Sequence, residues 1–235
     1  MLIVLRAGDA IPSVAAKRGE FFRWIREGVG DAWSGAWSEI DLRENAHLPD
    51  ARAAQGFIVT GSSSSVTERA PWMLRAEAWL RDAVAADTAV LGICFGHQLL
   101  AQALGGRVVK NPRGREIGTI DVALDANAAR DALFEGAPSP LRANATHVDT
   151  VAELPKDATH LATTSLDDHA AFRVRRAWGV QFHPEIDGDL MRGYLAARRE
   201  IILSEGLPHD AMMERAEDAP DALALMKSFA RFISR

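Results

Sequence analysis

Three short apolar runs, each followed by a segment of helical character, dominate the first half of this sequence. The runs cover residues 2–5, 56–60 and 89–93, and the helical segments cover residues 21–25, 71–86 and 95–104. Apolar runs of this length are typical of strands that are covered on both faces. Their alternation with helices predicts an α/β fold in which a parallel sheet carries helices on both faces.

The second half of the chain has a different texture. Short β-like runs at residues 107–109, 117–124, 160–164, 170–174 and 178–182 are separated by turns rich in Asn-Pro, Gly and Asp. This pattern favours a meander or a mixed-sheet extension. Helical character then returns, with an apolar stripe that indicates core packing. The stripe consists of Leu223, Leu225, Met226, Phe229, Phe232 and Ile233.

No repeat or long linker interrupts the sequence. We therefore expect a single domain over residues 1–235, with a C-terminal helical extension over about residues 190–235. The 32 acidic and 27 basic residues leave a net charge of −5, and the arginines are scattered, so no nucleic-acid partner is predicted. No apolar run approaches the roughly 18–20 residues that span a bilayer, and the apolar N-terminus lacks the basic segment of a signal peptide. These features predict a cytoplasmic protein without a membrane partner.

The chain has one cysteine, Cys94, which excludes an internal disulfide. No Cys/His spacing resembles a zinc site, and neither a metal nor another cofactor is predicted. A lone cysteine is usually a small buried hydrophobe. A reactive role for Cys94 therefore needs support from its neighbours.

The segment Gly92-Ile93-Cys94-Phe95-Gly96 gives that support, because it joins an apolar strand to a helix. Its G-x-C-x-G spacing is the thiol counterpart of the nucleophile elbow, in which small neighbours permit a sharp, strained turn. A cysteine at a helix N-terminus is favoured as thiolate by the helix dipole. The N–H of Phe95 would point where an oxyanion forms. The segment is also compatible with an ordinary buried cysteine at a Gly-flanked junction.

A second segment, Trp178 to Glu185, ends a predicted strand in His183-Pro184-Glu185. Alternate residues of an extended chain share a face, so we expect His183 and Glu185 to lie side by side. A carboxylate beside an imidazole orients it and stabilises its charged form, as in a catalytic triad. The other histidines considered, at positions 47, 160, 169 and 209, have no such context and are interpreted as structural or exposed.

Together these segments resemble the class I, or triad-type, glutamine amidotransferases, especially the glutaminase domain of GMP synthase and its stand-alone relatives. The resemblance rests on Gly-Ile-Cys-Phe-Gly-His-Gln followed by Leu-Leu-Ala-Gln-Ala-Leu-Gly-Gly, and on Trp-Gly-Val-Gln-Phe-His-Pro-Glu. Shorter matches occur at residues 60–62, 115–118 and 146–149, and the similarity covers residues 56–186. With the strand–helix alternation, it implies a flavodoxin-like three-layer sandwich with a central, mainly parallel sheet and a small antiparallel or mixed extension.

The resemblance also implies roles for individual residues. Cys94 would attack the glutamine carboxamide, His183 would protonate the departing ammonia and then activate water, and Glu185 would hold His183. The N–H groups of Phe95 and of the Gly61-Ser62 turn would form the oxyanion hole.

The same resemblance places the substrate against Gln98 and the segment Thr146-His147-Val148, for which an ordinary polar loop is the alternative interpretation. Two departures from the family pattern concern the pocket. Gly61-Ser62-Ser63 stands where the family usually has Gly-Gly-Pro, and Val148 stands where the synthase relatives often have glycine.

Three functions remain open on the sequence. The first is a glutaminase subunit or amidotransferase-like hydrolase whose ammonia passes to a synthetase subunit or is released. The sequence contains no ATP-binding P-loop, so we do not expect this chain to use the ammonia itself. The second is a hydrolase of γ-glutamyl peptides or conjugates with the same triad. The third is a non-catalytic binding or regulatory protein on the same fold.

Overall fold

The structure is a computed structural model that describes residues 1–44 and 47–235. The strands are β1 (Leu2–Arg6), β2 (Trp37–Asp41), β3 (Gly56–Val59), β4 (Ala89–Ile93), β5 (Arg107–Lys110), β6 (Glu116–Leu124), β7 (Leu141–His147), β8 (Asp149–Glu153), β9 (Thr159–Thr163), β10 (Ala171–Val174) and β11 (Ala177–Val180). The α-helices are α1 (Pro12–Arg18), α2 (Phe21–Val29), α3 (Pro71–Ala85), α4 (Phe95–Ala103), α5 (Gly188–Ala197), α6 (Arg199–Ser204), α7 (His209–Arg215) and α8 (Pro220–Ile233). Within these described residues, no helix is both long and apolar enough to cross a bilayer.

One nine-stranded sheet organises the fold, with the strand order β2-β1-β3-β4-β11-β10-β9-β6-β7. The first five strands in this order, from β2 to β11, are parallel to one another. From β11 onward, each strand is antiparallel to the next. Strands β5 and β8 form a separate antiparallel pair. The α/β, flavodoxin-like prediction is confirmed, including its antiparallel extension.

The period-two alternation of β1 shows why helices cover both faces of the sheet. Leu2 and Val4 belong to a core shared with Trp24 of α2 and Phe229 of α8. Ile3 and Leu5 belong to the opposite core, which α3 and α4 complete. Both cores are buried, so a parallel strand at this position must be apolar at every residue.

The predicted helices 71–86 and 95–104 agree with α3 and α4 to within one residue. The sequence analysis missed three strands, β2, β7 and β8. Strand β2 lies at the sheet edge and none of its residues is fully buried, so its sequence has no apolar run. Strand β7 is rich in Ala, Asn and Thr, and it is a strand because it pairs with β6 along its whole length.

The C-terminal stripe packs into the core as expected. Leu225, Met226, Phe229 and Ile233 are buried, and Phe232 packs against the same cluster. Helix α8 thereby covers Trp178 of β11, whose ring meets Phe232 edge to face at a centroid distance of 5.0 Å. Helix α8 therefore packs against β11, the strand that leads to His183.

The carboxyl ends of the parallel strands place several loops at one edge of the sheet. These loops follow β1, β3, β4 and β11, and they contain respectively Asp9, Gly61, Cys94 and His183. Ligands of open α/β sheets bind in the crevice at this edge. The sequence-predicted residues thus meet where the topology favours a site.

Candidate active site

Cys94 stands at the junction of β4 and α4 in a strained backbone conformation. Its φ of 52° and ψ of −102° are unusual for a residue with a side chain. The flanking glycines are needed because the chain is crowded there. A Cβ on Gly92 would lie 2.4 Å from the carbonyl oxygen of Gly96, and a Cβ on Gly96 would lie 2.4 Å from that of Val59. The predicted strained elbow is therefore present.

The surroundings of Cys94 favour its thiolate. Cys94 is only 5% exposed, and burial opposes the charged form. The charge and hydrogen bond of His183, together with the charge of His147, nevertheless lower the pKa of Cys94 below its ordinary value. Cys94 is therefore buried, yet its neighbours favour the charged thiolate.

His183 and Glu185 form a buried pair beside this cysteine. Nδ1 of His183 lies 2.7 Å from Oε1 of Glu185. Burial opposes a charged imidazole, but the charges of Glu185 and Cys94 and their hydrogen bonds raise the pKa of His183 to about 10. A proton on Nδ1 leaves Nε2 as the nitrogen that faces the thiol.

The route by which His183 meets Glu185 differs from the sequence prediction. Strand β11 ends at Val180, and residues 183–185 form a turn closed by the bond from the Ile186 N–H to the His183 carbonyl, at 3.3 Å. The expected extended alternation is wrong. Pro184 still keeps the segment out of a helix, and the turn brings the two side chains together.

Asn144 of β7, which sequence reasoning missed, anchors this turn. Its carbonyl oxygen accepts a hydrogen bond from the His183 N–H at 2.7 Å, and its Nδ2 donates to the Ile186 carbonyl at 2.8 Å. Oδ1 of Asn144 accepts from the Thr119 hydroxyl at 2.7 Å. Nothing in the local sequence marks Asn144, because its partners are 25 and more positions away.

The candidate oxyanion donors lie on two loops around Cys94. Phe95 is the first residue of α4, so its N–H precedes the intrahelical hydrogen bonds. Gly61 adjoins both predicted catalytic side chains, since a Cβ there would lie 2.9 Å from Cε1 of His183 and 3.8 Å from Cβ of Cys94. A side chain at position 61 would displace the imidazole.

The Gly61-Ser62-Ser63 turn forms without the usual second glycine and proline. None of residues 61–65, all of which are described, has a positive φ. The Ser62 hydroxyl instead accepts a hydrogen bond from the Ser64 N–H at 3.1 Å, which closes the turn. Serine therefore satisfies the backbone requirement at position 62.

The predicted substrate-binding residues line one cavity of about 180 Å³ beside Cys94. Gln98 is buried there, and its Nε2 donates to the Asp149 carbonyl and to Oε1 of Gln181, both at 3.0 Å. Both amide protons are thus used within the protein, so only Oε1 is left to face a ligand. Thr146 and Val148 also line this cavity.

His147, the remaining predicted substrate contact, is a buried cation. Its Nδ1 lies 2.9 Å from the Asp149 carbonyl oxygen and its Nε2 lies 3.0 Å from a carboxylate oxygen of Glu116. Both partners are acceptors, so both ring nitrogens must carry protons. Burial opposes the charge, but the hydrogen bond to Glu116 and nearby negative charges raise the pKa of His147. The polar-loop interpretation of this segment is wrong, because residues 146 and 147 end β7.

A second cavity of about 150 Å³ meets the first at Cys94. Among the residues that line it, Asp9, Phe21, Tyr194 and Arg198 were not predicted to be in the site. The ring of Phe21 is nearly parallel to that of His183, with 13° between the planes and 6.3 Å between the centroids. The sequence could have indicated Asp9, because it follows the carboxyl end of a parallel strand, where ligands of open α/β sheets bind. Tyr194 and Arg198 carried none, because only the packing of α5 brings them to the edge of the sheet.

Among residues 1–44 and 47–235, no cluster of three or more His, Cys, Asp or Glu side chains has a geometry suited to a metal ion.

Comparisons with known proteins show which family the chain is similar to. A sequence model of the family described as glutamine amidotransferase class-I matches residues 36–199. Gamma-glutamyl peptidase 4 of Arabidopsis thaliana is 32% identical over 145 residues, which cover 60% of this chain and 58% of that protein. A glutamine-hydrolysing GMP synthase of Tolumonas auensis is 34% identical over 222 residues, which cover 88% of this chain and 38% of that protein.

The chain thus spans little more than half of the first relative and less than half of the second. Among solved structures, a glutamine amidotransferase from Thermotoga maritima superposes with a TM-score of 0.77 at 21% sequence identity. That superposition covers 99% of this chain and 97% of the other, and it shows that the two proteins share a fold.

Proposed function

Because this chain belongs to the class-I glutamine amidotransferase family, we propose that it hydrolyses the side-chain amide of glutamine to glutamate and ammonia. The observation that carries the proposal is the buried line of Cys94, His183 and Glu185 at the strained junction of β4 and α4. A lowered thiol pKa beside an imidazole that is itself held by a carboxylate is the arrangement of an activated nucleophile.

In the first half of the reaction, the Cys94 thiolate attacks the γ-carbonyl carbon of glutamine. The carbonyl oxygen takes the negative charge and receives hydrogen bonds from the N–H of Phe95 and from the Gly61-Ser62 turn. The C–N bond then breaks as His183 gives its Nε2 proton to the departing nitrogen. The products are ammonia and a γ-glutamyl thioester on Cys94.

In the second half, His183 acts as base and takes a proton from water. The resulting hydroxide attacks the thioester carbon, the C–S bond breaks, and the thiolate and glutamate are released. Glu185 keeps the imidazole oriented and stabilises its positive charge in both halves. This internal contact also argues against a purely binding role, which needs no such pair.

Hydrolysis of γ-glutamyl peptides or conjugates is the second candidate function, and a specific observation favours it. The cavity on the His183 side of Cys94 has a volume of about 150 Å³. A cavity of about 10–15 Å³ already accommodates a water molecule. Ammonia as leaving group would use a small part of that space. A relative of this chain is named a gamma-glutamyl peptidase.

We propose a synthetase subunit as the partner that accepts ammonia when glutamine is the substrate. The relative from Tolumonas auensis is named a GMP synthase, and this chain spans 38% of its length. This partner would supply the ammonia-consuming half of such a reaction. Co-purification from the native cell, followed by a glutaminase assay with and without the captured protein, tests this partner.

The reaction is tested by incubating the purified chain with glutamine and with several γ-glutamyl dipeptides. Release of ammonia and glutamate from glutamine is the expected result. Fast dipeptide cleavage with negligible release from glutamine would replace the first candidate with the second. Treatment with a glutamine-analogue electrophile provides an independent readout, since a mass shift on a residue other than Cys94, or none, would contradict an activated thiolate.

A further inference from the structure

The two cavities beside Cys94 form one two-lobed cleft with the nucleophile at its junction. We name the 180 Å³ cavity the glutamyl lobe and the 150 Å³ cavity the leaving-group lobe. Both lobes share Ser62, Ser63, Cys94, Thr146 and Arg198. A substrate whose reacting carbon lies at Cys94 therefore extends into both lobes.

The position of His183 decides which half of a substrate enters which lobe. His183 lines the leaving-group lobe but not the glutamyl lobe, and Gln98 and His147 line only the glutamyl lobe. The proton for the departing nitrogen comes from His183 in the proposed reaction, so that nitrogen must lie on the His183 side. The γ-glutamyl half then occupies the lobe of Gln98.

Arg198, between α5 and α6, presents a cation to this cleft without a protein anion to neutralise it. No carboxylate in the described part of the chain lies within 4.0 Å of its guanidinium, and its buried Nη1 has no hydrogen-bond partner there. Arg115, the other arginine of the cleft, is bound by Glu205 through two hydrogen bonds of 2.8 and 3.0 Å. Arg198 is therefore the cation of the cleft that is free to bind a ligand.

Arg198 lines both lobes, and its contact with Tyr194 places its guanidinium beside the leaving-group lobe. Its guanidinium carbon lies 5.2 Å from the ring centroid of Tyr194, and Tyr194 lines only that lobe. Asp9 is the carboxylate that lines the same lobe, and Arg43 binds it at 2.6 Å. An anion entering the lobe thus meets an unpaired guanidinium and a carboxylate that is already neutralised.

From this arrangement we infer that Arg198 binds a carboxylate on the leaving group, so that the site accepts γ-glutamyl amino acids and short γ-glutamyl peptides in addition to glutamine. The inference rests on the proposed hydrolysis for its lobe assignment. A guanidinium pairs with a carboxylate through two parallel hydrogen bonds. Ammonia has no such group, so glutamine makes no use of Arg198 on this side.

Two ligands that differ mainly in one carboxylate test the inference. γ-Glutamylglycine and γ-glutamyl ethylamide share the γ-glutamyl group and a secondary amide, but only the first has a carboxylate on its leaving group. For the Arg198→Gln variant, we expect kcat/KM for γ-glutamylglycine to fall roughly 10- to 100-fold, mainly through KM. The values for γ-glutamyl ethylamide and glutamine should fall much less, and Arg198→Lys should be intermediate.

Arg199→Gln is the matched control, because Arg199 is the exposed neighbour and has no hydrogen bond or ion pair among the described residues. It should leave all three substrates unchanged. Equal loss for all three substrates in Arg198→Gln would overturn the inference, because Arg198 would then bind the shared glutamyl group or support the fold. No loss for γ-glutamylglycine would overturn it as well.

Binding measurements separate this inference from the proposed hydrolysis. Dissociation constants for both ligands are measured by calorimetry with Cys94→Ala and with Cys94→Ala combined with Arg198→Gln. Tighter binding of γ-glutamylglycine that disappears in the double variant supports the role of Arg198, even if the unmodified chain hydrolyses neither compound. Equal affinities for the two ligands in Cys94→Ala would refute it, even if both are hydrolysed.

Discussion

At the scale of single residues, the site depends on a few atoms in crowded or strained positions. Cys94 adopts a positive φ that costs about 1–3 kcal/mol for a residue with a side chain. The strain persists because Gly92 and Gly96 allow β4, α4 and β3 to approach closely. The thiol lies within hydrogen-bond reach of His183.

Replacing Cys94 should separate chemistry from folding. We expect Cys94→Ala and Cys94→Ser to lose turnover, because neither side chain forms a thiolate, while the thermal unfolding midpoint changes little. Assays of glutamate release and thermal unfolding monitored by circular dichroism check this. Near-normal activity in either variant would exclude Cys94 as the nucleophile.

The pH profile of kcat/KM should be broad at neutral pH. The reactive pair forms as pH rises through the lowered pKa of Cys94 and is lost as pH rises through the pKa of His183, at about 10. In Glu185→Gln the imidazolium loses its anionic partner, so the alkaline limb should move to lower pH. An alkaline limb that stays in place in Glu185→Gln would contradict the role of this carboxylate.

Gly96→Ala should destabilise the protein by about 1–3 kcal/mol, because the added methyl meets the Val59 carbonyl in a packed core. Gly193→Ala in α5 is a suitable control. A Cβ added at position 193 would lie 3.1 Å from a methyl group of Val14. Alanine is also favoured over glycine in a helix by about 1 kcal/mol. Urea unfolding measures both. Equal stability of the two variants would show that the close approach at Gly96 is not rigid.

At the scale of secondary-structure elements, the antiparallel half of the sheet positions the histidine that follows the parallel half. Strand β7 ends at His147, and its Asn144 fixes the turn that contains His183. One strand therefore supplies a cation near the nucleophile and an anchor for its base. This explains how a segment with a weak strand pattern contributes to the site.

Asn144→Leu tests this anchor. The substitution removes the donor to the Ile186 carbonyl and the acceptor for Thr119, so we expect a stability loss of about 1–3 kcal/mol. Because the turn also loosens, kcat should fall. Thr119→Val removes the hydroxyl that donates to Asn144 and accepts from the Glu217 N–H at 3.0 Å. It leaves the bond to the Ile186 carbonyl in place, so it should have a smaller effect on kcat. Unchanged kcat in Asn144→Leu, measured at a temperature where the variant is folded, would show that the backbone bond to His183 suffices.

At the scale of the whole molecule, the C-terminal helices pack into one of the two hydrophobic cores of the sheet. Helix α8 covers Trp178, and α5 carries Tyr194 to the cleft. Such packing supports a single domain over residues 1–235, which stays a prediction. This packing also gives the C-terminal segment a structural role in the site.

Phe229→Ala should cost about 3–5 kcal/mol of stability, because its ring is fully buried between α8 and β11. Leu203→Ala, at a side chain that is 46% exposed, should change stability by no more than about 0.5 kcal/mol. Urea unfolding of both variants checks the contrast. A small loss for Phe229→Ala would indicate that α8 is a peripheral addition to the fold.

The sequence by itself determined the features that depend on local chemistry. Apolar runs and their spacing predicted the parallel strands β1, β3 and β4 and the helices α3 and α4, because burial on both faces requires apolar residues throughout. The glycines around Cys94 predicted the elbow, because only small residues permit such close approach. The motifs around Cys94 and His183 name residues that the structure brings to one edge of the sheet, and the roles of these residues stay predictions.

Only the tertiary structure decided the features that depend on distant partners. It replaced the extended His183–Glu185 segment with a turn, which the side chain of Asn144 on a distant strand holds through its bond to the Ile186 carbonyl. It also assigned a charge to His147, whose state follows from acceptors on two other segments. The free guanidinium of Arg198 belongs here too, because whether a cation is paired depends on which carboxylates folding brings near it.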